Sequence, residues 1–115
     1  MKAALLQITS SDDPSENLTM VREMVRDAAS QGAKFVLTPE VSNCVSTSRS
    51  HQNTVLEPEQ GNLFLAGMIE EAKAQDIWLL LGSIGIKTGD ADGRFANRSF
   101  LISPAGEIAA WYDKI

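Results

Sequence analysis

Four side chains in this 115-residue chain combine a type that can transfer a proton or bond to a substrate with a position that invites a chemical reading: Glu40, Cys44, His51 and Lys114. Glu40 closes the stretch Gly32-Ala33-Lys34-Phe35-Val36-Leu37-Thr38-Pro39-Glu40. Phe35, Val36 and Leu37 form a continuous apolar run, as expected of a parallel strand covered on both faces. Pro39 cannot donate to a sheet ladder, so the strand should stop before it. Glu40 is thereby expected just beyond the carboxyl end of a buried strand, the edge at which open α/β sheets bind ligands. A carboxylate held there can act as a general base. Taken alone, the plainer reading of Glu40 is a solvated loop acid.

Cys44 and His51 invite a thiol-hydrolase reading, with the cysteine as nucleophile and the histidine as base. Their spacing argues against it, because Glu40, Cys44 and His51 all fall in or beside one loop rather than on separate rigid elements. A structural cysteine and a surface histidine are the better reading. Lys114, in Tyr112-Asp113-Lys114-Ile115, is by itself a solvated lysine. Other motifs lead nowhere. Asp90-Ala91-Asp92-Gly93 lacks the third acid and the twelfth-position glutamate of a calcium loop. Gly82-Ser83-Ile84-Gly85 lacks the lysine of a phosphate cradle and the dinucleotide spacing. Asn17-Leu18-Thr19 and Asn97-Arg98-Ser99 match the glycosylation pattern, with no secretion signal to give it meaning.

The elements that must position these residues follow from periodicity. Lys2 to Ile8 reads as a first strand, so apolar that it is expected to be central in its sheet. Asp13 is a good N-cap, Pro14 suits the first helical position, and Glu16 has the capping-box spacing. Capping explains Asp12-Asp13 without a metal. The helix presents Leu18, Val21, Val25, Ala28 and Ala29 on one face, with Arg22, Glu23, Arg26 and Asp27 away from it, and Gly32 as its stop. Val41 to Gln60 is a polar, aperiodic loop beside Glu40, a candidate substrate-facing loop in which simple solvent exposure of Arg49 and His51 is the plainer reading and contact with a substrate carboxylate the rival one. Asn62 to Gln75 is a second helix, with Leu65, Met68, Ile69 and Ala72 inward and Glu70, Glu71 and Lys73 outward. Ile77 to Ser83 is a third apolar strand. Strand, helix, strand, helix, strand predicts a parallel α/β sheet. After a turn-rich loop from Thr88 to Ala96, Asn97–Ile102 and Glu107–Tyr112 read as a hairpin around Ser103-Pro104-Ala105-Gly106, which makes the sheet mixed.

Composition sets further bounds. A net charge of -5 with no basic cluster speaks against nucleic acid or an anionic membrane surface as partner. No apolar run reaches the roughly 20 residues that span a bilayer. The opening Met1-Lys2-Ala3-Ala4-Leu5-Leu6 run breaks at Gln7 without a cleavage site, and the single cysteine fits a reducing compartment. A cytoplasmic protein is expected.

Glu40 and Lys114 gain meaning together. Leu37-Thr38-Pro39-Glu40, Leu80-Leu81-Gly82-Ser83, and Asn97-Arg98-Ser99-Phe100 through Tyr112-Asp113-Lys114-Ile115 occur in that order. The chain closely resembles the amino-terminal part of the nitrilase, or carbon–nitrogen hydrolase, superfamily, from Lys2 to Ile115. Within it the likeness is to Nit-type amidases, a group that includes deaminated-glutathione amidase and ω-amidase. The resemblance implies an α/β fold, the amino-terminal part of a four-layer α-β-β-α sandwich with a mixed sheet, and assembly into homo-oligomers. It implies a catalytic glutamate, lysine and cysteine, no cofactor and no metal. Glu40 matches the glutamate base and Lys114 the lysine. Cys44 does not match the nucleophile's motif, which in the family lies downstream of the lysine. The expectation is a partial hydrolase domain of a cytoplasmic amidase whose substrate is a small amide bearing a carboxylate. Its rival is a non-catalytic module that pairs with itself or with a separate subunit. An unrelated doubly wound fold fits less well, because of the terminal hairpin.

Overall fold

The computed structural model describes residues 2–7, 10–40, 44, 48, 50–51, 55–88 and 95–114, with residue 114 described by its backbone alone. The elements run β1 (Ala3–Leu5), α1 (Pro14–Ser30), β2 (Phe35–Thr38), α2 (Leu63–Gln75), β3 (Trp78–Lys87), β4 (Phe95–Ile102) and β5 (Ile108–Lys114). They form one mixed sheet in the order β1-β2-β3-β4-β5, with β1, β2 and β3 parallel and β4 antiparallel to both its neighbours. The α/β class and the mixed sheet are those expected.

Local chemistry sets most boundaries. The Asp13 carboxylate accepts from the Ser15 amide at 3.0 Å and the Ser15 hydroxyl at 2.8 Å, so it caps α1 as its sequence position suggests. Asn62 caps α2 by accepting from the Leu65 amide at 2.9 Å. Gly32 takes a positive φ of 96° just past α1, where a side chain would be strained. β2 ends at Thr38, one residue before the proline. Asn17 is buried, and its side-chain amide both accepts from the Ser11 backbone at 2.8 Å and donates to it at 2.7 Å. It is therefore a brace for the β1–α1 loop rather than a surface glycan acceptor.

The core lies between the two helices and one face of the sheet. Val21, Val25, Leu65, Met68 and Ala72 meet Val36, Leu79, Leu81, Phe100 and Ile102 there. The other face carries Leu5, Phe35, Leu37, Trp78, Leu80 and Tyr112, by strand alternation and register. No described element covers it, and Leu5 is 66% and Tyr112 59% exposed. The described residues thus supply one helix layer and one sheet layer.

Three expectations need correction. Among the described strands β1 pairs with β2 alone and so stands at the edge of the sheet, where a central place was expected. Its apolar sequence reports what its faces meet, whereas pairing uses the backbone and leaves no mark on side-chain polarity. β3 runs four residues beyond Ser83, carrying Gly82-Ser83-Ile84-Gly85 inside a strand with a register shift between Leu81 and Ile84. Glu71 is not outward. It is buried between the helices, held by Arg22 Nε at 2.9 Å and by Arg26 Nε and Nη2, each at 2.9 Å. Helical periodicity assigns a face, but it does not tell a solvated face from one pressed against a second helix.

Candidate active site

Glu40 lies exposed in the turn two residues beyond β2. Lys114 is the last residue of β5, opposite Asn97. Because β5 is antiparallel to β4, it runs in the direction of β2, so both residues stand at the same edge of the sheet. Register also sets their height. Thr38, Leu81, Phe100 and Trp111 form one row across four strands, with Glu40 two and Lys114 three residues beyond it. Laterally, β2 and β5 are three strand spacings apart, roughly 14 Å between axes. The fold therefore brings the two onto one edge and one level without pressing them together.

What fixes the strand end below Glu40 is a short polar relay buried in the sheet. The Gly82 amide donates to Thr38 Oγ1 at 3.3 Å, and the Gly82 carbonyl accepts from Ser99 Oγ at 2.5 Å. Thr38 and Ser99 are both buried. A Cβ at Gly82 would stand 2.7 Å from the Pro39 carbonyl carbon and 2.8 Å from its oxygen, and closer still to the Thr38 carbonyl. Only glycine lets β3 run this close under the Thr38-Pro39 backbone.

Cys44 and His51 converge on the β1–α1 loop instead. The Cys44 thiol donates to the Asp12 carbonyl at 3.4 Å, and His51 Nε2 lies 2.7 Å from the same oxygen. Burial pushes the Cys44 thiol up, and the negative charges of Asp12 and Asp13 push it further. That is the reverse of what activates a nucleophilic cysteine. Cys44 is a buried structural cysteine, and His51 pins the loop after Glu40 to Asp12. Arg49 and the Asp90–Gly93 loop lie outside the described residues.

The residues that sequence reasoning missed surround Lys114. Arg98 stands opposite Asp113 and pairs with it two-fold, Nε to Oδ1 at 2.5 Å and Nη2 to Oδ2 at 3.0 Å. Its third nitrogen reaches Glu59 Oε1 at 3.2 Å, and the guanidinium stacks 4.5 Å from the Trp111 ring centre. An opposed Arg and Asp in a hairpin is a readable signal. A hairpin without irregularity, however, would set Arg98 opposite Tyr112. The register shift between Leu101 and Ile102 brings Asp113 into place.

Comparison with known proteins decides the family. The profile of carbon–nitrogen hydrolases matches residues 2–115. The chain belongs to the carbon–nitrogen hydrolase family. Among its relatives, the nitrilase and fragile histidine triad fusion protein of Drosophila melanogaster is 34% identical over 112 residues, which cover 97% of this chain and 24% of that protein. An ω-amidase of Pongo abelii is 34% identical over 118 residues, covering 99% of this chain and 40% of that one. The solved amidase of Nesterenkonia sp. AN1, from the nitrilase superfamily, superposes with a TM-score of 0.81 at 27% identity, over 100% of this chain and 43% of its own. In one structure of that amidase a glutamate is replaced by glutamine and acrylamide has added to the active-site cysteine. This carbon–nitrogen hydrolase chain thus spans less than half the length of each of these relatives. Among its described residues no helix is long and apolar enough to cross a membrane.

Proposed function

We propose that this chain is the glutamate- and lysine-bearing part of an amidase that hydrolyses the C–N bond of a small amide carrying a carboxylate, through a cysteine thioester. The observation that carries the reading is the placement of Glu40 and Lys114 at one edge and one level of the sheet, within a family match that runs the length of the chain. Glu40 is the general base. It takes the proton of the attacking thiol as the sulfur bonds to the amide carbon. It passes that proton to the amide nitrogen as the C–N bond breaks, so that ammonia leaves and Glu40 is a carboxylate again. Glu40 then activates the water that hydrolyses the thioester, returning a carboxylic acid and a free thiol. Lys114 supplies the positive charge that stabilises the oxyanion formed at each step.

The nucleophile belongs outside these 115 residues, since the environment of Cys44 disfavours its thiolate. The enzyme is proposed to be cytoplasmic and homo-oligomeric. In the whole protein, Glu40→Gln should slow ammonia release by roughly 100- to 10,000-fold without loss of fold. Retention of normal turnover by Glu40→Gln would sink the reading. So would amide hydrolysis by the 115 residues alone that disappears on changing Cys44.

The uncovered sheet face favours a second reading, a non-catalytic module that pairs with itself or with a separate subunit through Leu5, Leu80 and Tyr112. Sedimentation or size-exclusion chromatography of the 115-residue chain tests it. A well-behaved monomer counts against this pairing.

A further inference from the structure

We propose that Arg98 is a positioning residue, which holds the end of β5 and hence Lys114 in register with the segment that returns from Glu40. This rests on the reading of Lys114 as part of the amidase site. Arg98 is only 18% exposed, and it reaches two segments that are far apart in sequence. One is Asp113, the neighbour of Lys114. The other is Glu59, close to the end of the loop that begins after Glu40.

The surroundings give this clamp something to do. Every residue of β5 from Ile108 to Asp113 is exposed, and among the described elements β5 pairs with β4 alone. An edge strand of this kind has little packing to order its side chains. Around residues 57–62, by contrast, the chain is tied down. The Lys87 amide donates to the Glu57 carbonyl at 3.0 Å, and Asn62 Nδ2 donates to the same oxygen at 3.2 Å. Arg98 links the exposed strand to this fixed point. The residue before it, Asn97, faces Lys114, and the residue after it, Ser99, holds Gly82 under the Thr38-Pro39 backbone. One three-residue piece of β4 therefore connects to both strand ends. The two-fold pairing needs a planar fork of donors, which a lysine ammonium lacks.

The test compares Arg98→Met, Arg98→Lys and the exchange Arg98→Asp/Asp113→Arg in the whole protein, with Lys114→Met as control. Steady-state ammonia release is followed across pH, with amide exchange at Lys114 measured on the same samples. Positioning predicts that kcat falls roughly 10- to 100-fold for Arg98→Met, with KM nearly unchanged. Arg98→Lys should fail to rescue it, the exchanged pair should recover part of the loss, and exchange at Lys114 should quicken about 10-fold wherever kcat falls. Isosteric Asp113→Asn and Glu59→Gln, which leave the fold least disturbed, should reproduce the effect at smaller size. If Lys114→Met abolishes turnover while folded Arg98 variants keep the wild-type kcat, pH profile and Lys114 exchange, the positioning role is wrong and the amidase reading stands. If Lys114→Met turns over normally, the lysine assignment fails and the positioning role falls with it.

Discussion

Among the described residues two arginine–carboxylate networks tie the chain together, and one is the other turned inside out. Between α1 and α2 a single carboxylate, Glu71, only 2% exposed, is gripped by two arginines that reach out to water. On the β4–β5 edge a single arginine, Arg98, is gripped by two carboxylates that face water, with Asp113 44% exposed. In the first the buried partner is the one that can be neutralised by a proton. In the second it is a guanidinium, which stays charged at any ordinary pH. Burial pushes the Glu71 carboxyl up, but the Arg26 hydrogen bonds, the charge of Arg22 and its hydrogen bond outweigh this and hold it below the usual carboxylate range. The Arg98 hydrogen bonds hold Asp113 below that range too, with slight burial opposing and the charge of Arg98 adding. The helix network serves cohesion of the core. The edge network serves placement of a strand that the core does not cover.

The sharpest way to break this contrast is to remove each central group. Glu71→Ala should cost about 3 kcal/mol in urea unfolding, since it leaves a cavity and a partly buried guanidinium without its partner. Glu71→Met should cost only about 1 kcal/mol, because the thioether fills the space and both arginines can turn to water. Arg98→Met should likewise cost about 1 kcal/mol or less, its partners being exposed already. Equal losses for Glu71→Ala and Arg98→Met would erase the distinction between cohesion and placement.

Acid sharpens it further. Both carboxyls have folded-state values below their unfolded ones. Each therefore contributes stability that is complete above an ordinary carboxylate pKa of about 4, and that is lost as pH falls through the folded value. Stability measured from pH 7 to pH 3 should fall less steeply in Glu71→Gln than in the parent chain. Asp113→Asn should flatten the same limb by a smaller amount, as the group is half in water. The smallest effect is that of salt. Raising ionic strength to about 0.5 M should weaken the Arg98 network while leaving the Glu71 network almost untouched, because screening acts on exposed charges. A double-mutant cycle for each pair, at low and high salt, reads this directly.

Much of the architecture was readable before any coordinates. Asp13 and Pro14 announced α1, Pro39 marked the end of β2, and the Ser103–Gly106 turn announced the hairpin that makes the sheet mixed. Each of these is a local signal, since capping, a missing amide donor and turn geometry act within a few residues. Glu71 was misread because its partners Arg22 and Arg26 lie 49 and 45 residues away. At the candidate site the pattern was similar. Glu40 and Lys114 came from their sequence contexts, whereas Gly82, Ser99, Arg98 and Asp113 emerged only from pairing. The place of β1 at the edge of the described strands went unseen because apolar side chains report faces and not backbone neighbours.

By itself the sequence determined the element order, the cap of α1, the mixed sheet and the family to which the chain belongs. Only the tertiary structure decided that Glu40 and Lys114 share an edge and a level, that Gly82 admits the Thr38-Pro39 backbone, and that a one-residue register shift brings Asp113 opposite Arg98. The reason is physical. Dihedral preference and periodicity act over a few residues, but register is a cooperative choice among whole strands. A shift of a single residue changes every partner beyond it.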